Sequence, residues 1–303
     1  MNSIQTEFKN FQQLLKEINT VDSLDEYKSN FFTLIDKIAE KINSSSNKEY
    51  LKEEFFKLCS DIDCSIMHDR TRKKPCGYAG DYLLIDWIYT KKTAENELGK
   101  LFDDLFHSYE AAVSVRNRKE YFKTKCRELS KNKSTRVDIL DLGCGSCRDV
   151  KEIYQELKKG YNFHFHCIDS DPQAIEYAKK LLDGKVEKYN IDFTVANALQ
   201  LNTNKKYDLV WSAGLFDYLG KRVAVLLLKK IWRNLKNNGQ IIFGNFSPQN
   251  PTRKGMELVG KWFLFHRTAA DLIEICRETA LPVSDIEVES EASGINLFCI
   301  LKK

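Results

Sequence analysis

The chain has 303 residues, 43% of them hydrophobic, and 47 Lys and Arg residues nearly balance 43 Asp and Glu residues, for a net charge of +4. A mean hydropathy of −0.44 and a longest apolar run over 223–228 argue against a membrane-spanning helix, which needs about 20 apolar residues. The first residues show no basic or apolar segment of the secretory type, and nine irregularly spaced cysteines favour free thiols in a reducing compartment. We therefore expect a cytoplasmic, globular protein.

The N-terminal part is predicted to be helical. Apolar residues recur at helical spacing over 8–18, 27–42 and 98–109, and no long stretch alternates with a period of two. We predict an all-helical domain over residues 1–132 that serves as a lid or substrate wall. A dimerisation bundle is the alternative that the periodicity leaves open, and the sequence does not fix the oligomeric state.

Residues 133–303 are predicted to form an α/β domain. Apolar segments at strand length alternate with helical segments, and the two final alternating runs, 284–290 and 295–302, are typical of a hairpin. The expected fold is a Rossmann-like, mostly parallel seven-stranded sheet with a C-terminal antiparallel hairpin. Ligands of such sheets bind at the carboxyl ends of the strands. The predicted strands are 137–142, 163–168, 191–196, 207–212, 240–245, 284–290 and 295–302.

The turn after the first strand carries the main ligand signal. Gly143 and Gly145 allow the backbone to turn sharply and approach a ligand. An acid ends the next strand, Asp169, where it can accept the hydroxyls of a ribose. The third glycine of a pyrophosphate fingerprint is replaced by the Ser146–Arg148 segment, so a nucleoside cofactor without phosphates fits better than a dinucleotide.

The order of several segments resembles class I S-adenosylmethionine (SAM) methyltransferases over residues 136–303. The segments are Asp141–Gly145, Ile168-Asp169, Ala196–Ala198 and Tyr207–Val210. A closer resemblance is to a bacterial subfamily described as making 3-hydroxypalmitic acid methyl ester. It rests on the segments Ser212–Leu219, Gly244–Glu257, Lys74–Tyr82 and Ser114–Arg118, with Trp262 and Arg267.

The resemblance implies SAM as the cofactor and assigns residues to its parts. Asp169 would accept the ribose hydroxyls, with Asp171 as a nearby rival, and Asp141 would orient the turn or reach the amino group. Asn197 lies where the superfamily often has an adenine-binding Asp. The full set implied for the cofactor is Asp141, Gly143, Gly145, Asp169, Asp171, Asn197, Ala198, Ser212, Gly214 and Arg116.

The acceptor is expected to be a small molecule, most readily a carboxylic acid. Arg253 offers a planar fork for a carboxylate, and Asn245 lies in the loop after the fifth strand. Tyr78 and Tyr218 complete the residues proposed at the reaction centre. A carboxylate is ionised at neutral pH and needs no general base to attack a sulfonium methyl group in line. No metal site is predicted, because the His and Cys residues lack ligand spacing.

Two other functions remain open from the sequence. The same cofactor residues would serve an enzyme that cyclises SAM and releases methylthioadenosine, as in azetidine-2-carboxylate formation. Residues 70–136 hold 16 Lys and Arg against 9 Asp and Glu, which is compatible with RNA binding. The Ser212–Leu215 segment lacks the Asn/Asp-Pro-Pro-aromatic motif of enzymes that methylate nucleic-acid amines, so a nucleic-acid partner ranks third.

Overall fold

The structure is a computed structural model that describes residues 3–131, 136–156, 162–182 and 189–303. The chain divides into two compact units. The first comprises Met1–Val113 and Asn250–Phe263, and the second comprises Ser114–Gln249 and Leu264–Lys303. The predicted boundary between residues 132 and 133 lies outside the described residues.

The N-terminal part is helical, as the periodicity predicts. The helices are α1 (Ile4–Ile18), α2 (Asp25–Asn43), α3 (Lys48–Leu58), α4 (Ile66–Lys73), α5 (Tyr82–Thr90), α6 (Glu97–Ser108) and α7 (Glu110–Lys131). Phe11 lies at the centre of the packing between α1, α2 and α3, with its ring 4.8 Å from that of Phe55 and 5.9 Å from that of Phe31. Burial of such aromatic faces stabilises the first unit.

The second unit is built on a seven-stranded sheet. The elements that follow α7 in the chain are β1 (Val137–Leu142), α8 (Arg148–Glu156), β2 (Phe163–Asp169), α9 (Pro172–Leu181), β3 (Ile191–Val195), β4 (Tyr207–Ser212), α10 (Lys221–Trp232), β5 (Leu235–Phe246), α11 (Arg253–Leu258), α12 (Ala269–Glu278), β6 (Asp285–Ser290) and β7 (Asn296–Lys302). Of these, α11 belongs to the first unit.

The strand order is β3-β2-β1-β4-β5-β7-β6. Strands β1 to β5 are parallel to their neighbours, whereas β7 pairs antiparallel with both β5 and β6. The predicted fold class is therefore confirmed. Strand β5 begins at Leu235 rather than at 240, because Leu235 pairs with Tyr207 before a register irregularity. The parallel strands end along one edge, and this edge holds the candidate site.

Helix α7 packs within the second unit from Ser114 onward. The ring of Phe122 stacks on that of Trp211 in β4, with a centroid distance of 4.4 Å. The ring of Tyr121 stacks on that of Phe298 in β7 at 4.2 Å. Residues 114, 118, 122 and 126 are all buried and recur every fourth position, which marks one face of the helix. The helix that the sequence assigns to the helical domain thus forms part of the sheet unit.

The segment 250–263 leaves the sheet and packs on the helices of the first unit. The Ala111 amide donates to Thr252 Oγ1 at 3.1 Å, and Lys254 on α11 forms ion pairs with Asp36 and Glu40. A loop that follows β5 in the sequence therefore supplies a helix to the other unit.

None of the helices in the described part of the chain combines the length and the hydropathy that a membrane span requires.

Candidate active site

The turn after β1 is folded against the end of β2. Gly143, Gly145 and Cys147 adopt positive φ angles of 69°, 55° and 51°, which is the left-handed region that glycine enters without strain. The amides of Gly143 and Cys144 both donate to the Ile168 carbonyl, at 2.8 and 3.1 Å. Helix α8 begins directly after the turn, so this stretch combines a close backbone approach with a helix N-terminus.

Asp169, at the end of β2, fixes this turn. Its Oδ2 accepts from the Gly145 amide at 2.9 Å and its Oδ1 from the Asp171 amide at 3.0 Å. The side chain is 7% exposed, and burial raises its pKa. Asp171 has a different role, because its Oδ1 caps α9 by accepting from the Gln173 amide at 2.8 Å. The geometry therefore favours Asp169 over Asp171 as the ligand-binding acid.

Three carboxyl groups lie close together beneath the turn. Burial and the neighbouring Asp149 and Asp169 raise the pKa of Asp141 well above its ordinary value, and burial raises the pKa of Asp149 to about 6. Asp141 is 2% exposed, and its Oδ2 is buried without a hydrogen-bond partner among the residues that the structure describes. A cationic ligand with N–H donors would reduce the repulsion among the three carboxylates, and it would also donate a hydrogen bond to Asp141 Oδ2.

A buried guanidinium faces the end of β4. A Cβ on Gly214 would lie 3.4 Å from Arg118 Nη1 and 3.5 Å from Nη2, so this glycine leaves room for the arginine. The Arg118 charge also lowers the pKa values of Asp149 and Asp217 against the larger effect of their burial. Sequence reasoning put Arg116 in the cofactor set and left Arg118 out of it. Arg118 lies four residues before the buried Phe122, on the same face of α7, and this spacing is the sequence feature that predicts its burial.

The loop after β4 is held by buried polar contacts. Ser212 Oγ donates to the Leu142 carbonyl at 2.9 Å, which ties β4 to β1. Asp217 Oδ1 accepts from the Phe246 amide at 2.7 Å, and burial raises the pKa of Asp217 to about 7. Tyr218 follows in the same 3₁₀ turn and is partly exposed. The predicted residues Ser212, Gly214 and Tyr218 therefore lie at the ligand-facing end of β4.

Asn245 is buried, and its amide is fully used within the fold. Its Nδ2 donates to the Phe265 carbonyl at 2.6 Å and to the Phe246 carbonyl at 3.1 Å, and its Oδ1 accepts from Arg267 Nη1 at 2.5 Å. Arg267 Nη1 donates as well to the Phe216 carbonyl at 2.8 Å. Asn245 thus joins the end of β5 to the segment before α12, and it has no remaining donor for an acceptor molecule.

The predicted acceptor residues Tyr78 and Arg253 belong to the first unit. Arg253 begins α11, and its Nε donates to Glu257 Oε1 at 2.7 Å, one turn later. Tyr78 is partly buried in the segment before α5, where Asp81 caps the helix by accepting from the Leu83 and Leu84 amides. Asp81 is therefore the N-cap of α5.

The end of β3 presents apolar surface. Val195 is 51% exposed and Leu199 is 38% exposed, on either side of Asn197 and Ala198. Asn197 Oδ1 accepts from the Leu199 amide at 2.9 Å, which fixes a short turn and leaves its Nδ2 as a donor. An exposed apolar surface next to a polar amide is suited to a flat heteroaromatic ring.

Two buried thiols lie below Asp141. One ligand atom from each of Asp141, Cys147 and Cys167 lies within 4.8 Å of the others, a spacing that a metal ion could bridge. Burial raises the pKa of the Cys167 thiol well above its ordinary value, so this thiol is neutral in the fold. We interpret these sulfurs as packing beneath the turn.

Comparison with known proteins places this site in a family context. Residues 133–285 match the model of a family described as a methyltransferase domain. A malonyl-[acyl-carrier protein] O-methyltransferase from Acetivibrio thermocellus is 28% identical over 139 residues, which are 46% of this chain and 45% of that protein. A ribosomal protein L11 methyltransferase from Thermosipho africanus is 30% identical over 142 residues, covering 46% and 50%. The chain thus spans half or less of the length of these curated relatives.

Solved structures share the fold. A protein from Bordetella parapertussis described as a possible exported protein aligns over 100% of this chain and 97% of its own, with a TM-score of 0.61 and 15% identity. Magnesium protoporphyrin IX methyltransferase from Synechocystis, solved with S-adenosylhomocysteine, aligns over 64% of this chain and 86% of its own, with a TM-score of 0.50 and 13% identity.

Proposed function

Because the chain belongs to the methyltransferase domain family, we propose that it transfers the methyl group of SAM to a carboxylate oxygen of a small acid. The observation that supports SAM is the glycine turn, whose Gly145 amide donates to Asp169 Oδ2. Near this turn, Asp141 Oδ2 is buried and has no hydrogen-bond partner among the described residues. SAM supplies a methyl group on a positively charged sulfur, ready for in-line displacement. The protein's task is to bind, orient and exclude water.

The residues of the site fit the parts of SAM by charge. Asp169 has lone pairs left on both oxygens to accept the ribose hydroxyls, and Asp141 Oδ2 can accept from the amino group. The guanidinium of Arg118 is the group of opposite charge suited to the cofactor carboxylate. Val195 and Leu199 offer apolar contact to adenine, with the Asn197 amide beside them.

Carboxylate methylation is supported by two independent considerations. The A. thermocellus relative is named as an O-methyltransferase of malonyl-[acyl-carrier protein]. In addition, an ionised carboxylate attacks without losing a proton, and the fold commits Asn245 and Arg267 to structural contacts rather than to proton transfer. The finer proposal is a fatty-acid-like acceptor, following the resemblance to the 3-hydroxypalmitic acid methyl ester subfamily.

The acceptor class is tested by incubating the purified protein with deuteromethyl-SAM and one acid at a time. The acids are 3-hydroxypalmitic acid, palmitic acid and malonyl-[acyl-carrier protein]. We expect a methyl ester carrying the deuterated group from at least one of them, identified by mass spectrometry. Label found only in RNA or on an amine acceptor, with no ester from any acid, would contradict the proposal.

SAM binding is expected to weaken as the pH falls from 7.5 to 5.5. The pKa of Asp149 is raised to about 6, so its carboxylate is ionised at the higher pH and largely protonated at the lower one. Loss of this negative charge weakens the attraction for a cationic ligand by about fourfold if SAM binds the ionised form. Calorimetric titration of SAM measures the dependence. Asp149→Asn should reduce the pH dependence without removing it, because burial also raises the pKa values of Asp141 and Asp169. A wild-type affinity independent of pH would refute the prediction.

A further inference from the structure

Asn296, the first residue of β7, has a buried side-chain amide without partners. The residue is 0% exposed, and neither Oδ1 nor Nδ2 forms a hydrogen bond within the described protein. Its backbone is satisfied, because its amide donates to Glu291 Oε1 at 3.0 Å and its carbonyl accepts from the Glu291 amide at 3.2 Å. The fold therefore fixes the position of Asn296 through its backbone and leaves its side-chain amide without a hydrogen bond to any described residue.

This amide lies at the ligand-facing edge of the sheet. Asn296 pairs with Phe246 at the end of β5, on the face that carries Phe298 two residues later. Its Oδ1 lies 3.1 Å from the position that a Cβ on Gly244 would occupy, and that position is 2.6 Å from the Ala213 carbonyl oxygen. Asn296 thus stands beside the end of β4, next to the Ser212–Gly214 segment.

Buried polar groups without partners are rare, because they lose their hydrogen bonds to water and gain none in return. Other buried amides of this unit are bonded. Asn234 Nδ2 donates to the Thr203 and Lys205 carbonyls at 2.7 and 3.1 Å, and Asn245 is fully used. The unsatisfied amide of Asn296 is therefore a feature of this position, and it needs a reason outside the fold.

We propose that Asn296 binds the acceptor, with Nδ2 donating to one oxygen of its carboxylate and leaving the other oxygen to attack the methyl group. The inference rests on the proposed function and names a residue that it does not include. Oδ1 faces the Cα–H of Gly244, a weak donor, so Nδ2 is the group with a full hydrogen bond to offer.

A neutral amide suits this reaction better than a cation. Methylation removes the negative charge of the carboxylate, so a strong ion pair would stabilise the substrate more than the transition state. A single N–H donor orients the acceptor oxygen. Its hydrogen bond loses less interaction energy than an ion pair would when methylation neutralises the carboxylate. Asn296 therefore acts by positioning the acceptor oxygen.

The first test compares the thermal stability of two matched variants. Asn296→Val removes an amide without partners, so we expect its melting temperature to rise by about 2–4 °C. Asn234→Val removes a bonded amide at a similarly buried position, and its melting temperature should fall. A fall in Asn296→Val comparable to that in Asn234→Val would show that the amide is bonded within the fold, and would overturn the inference.

The second test measures catalysis with the acid that the wild-type protein methylates. Asn296→Val should lower kcat/KM for that acid by about tenfold or more, and Asn296→Asp further, because a second carboxylate repels the acceptor. The dissociation constant of SAM should change less than twofold in both. Unchanged kcat/KM in Asn296→Val would remove this inference alone, whereas a wild-type protein that methylates no acid would remove the proposed function and this inference together.

Discussion

Replacing Asp169 with alanine is expected to weaken SAM binding by about 10²–10⁴-fold, which is the loss of two charge-assisted hydrogen bonds to the ribose at about 1.5–3 kcal/mol each. The variant also loses the bond from Oδ2 to the Gly145 amide, which holds the glycine turn against β2. The effect is therefore expected both in the contacts with the ligand and in the shape of the turn. Isothermal titration calorimetry with SAM and with S-adenosylhomocysteine gives the two dissociation constants.

Asp171→Asn is the matched control for this variant. An asparagine side chain still accepts the capping bond from the Gln173 amide and loses only the charge. We expect its SAM affinity to stay within about threefold of wild type. If Asp171→Asn lost affinity and Asp169→Ala kept it, the ribose would be bound by the other acid.

Gly244→Ala is expected to lower the free energy of unfolding by about 1–3 kcal/mol and to reduce methyl transfer. The added Cβ would lie 2.6 Å from the Ala213 carbonyl oxygen, a backbone atom, and 3.0 Å from a ring carbon of Phe298. The collision is relieved only by separating β5 from the end of β4, where the Ser212–Gly214 segment lies in the candidate site. Urea unfolding at constant pH measures the change.

Gly220→Ala controls for the general effect of adding a methyl group to a glycine. A Cβ at Gly220 meets no atom of the described residues within 4 Å, and the residue has ordinary extended backbone angles before α10. Its free energy of unfolding should stay within about 0.5 kcal/mol of wild type. Equal stability of Gly244→Ala and Gly220→Ala would contradict the packing described around Gly244.

The sheet domain could be predicted from the sequence because its signals are local. Apolar strand segments alternate with helical ones, and Pro172 after Asp171 indicates the start of α9, where the structure places Asp171 as the cap. Residues 110–131 lie within the domain predicted to be helical. Helical spacing does not say which unit the apolar face of a helix packs against, and Phe122 of α7 stacks on Trp211 of the sheet.

Residues of the candidate site could be predicted where they lie at the end of a strand or in the turn that follows it. Asp141, Gly143, Gly145 and Asp169 lie together as expected, and their roles toward SAM stay predictions for the tests above. Arg118 and Asn296 were not among the residues predicted to bind the cofactor, for a physical reason. One is a helix residue and the other begins a hairpin strand, and only tertiary packing brings them to the edge where β4 ends.

The fate of SAM itself tests the account most directly. The protein is incubated with SAM in the presence and absence of the acid it methylates, and S-adenosylhomocysteine, methylthioadenosine and the methyl ester are quantified by mass spectrometry. We expect S-adenosylhomocysteine and ester in equal amounts, with both formed only when the acid is present. Methylthioadenosine formed from SAM alone, and abolished by Asp169→Ala, would contradict it and would identify an enzyme that cleaves its own cofactor.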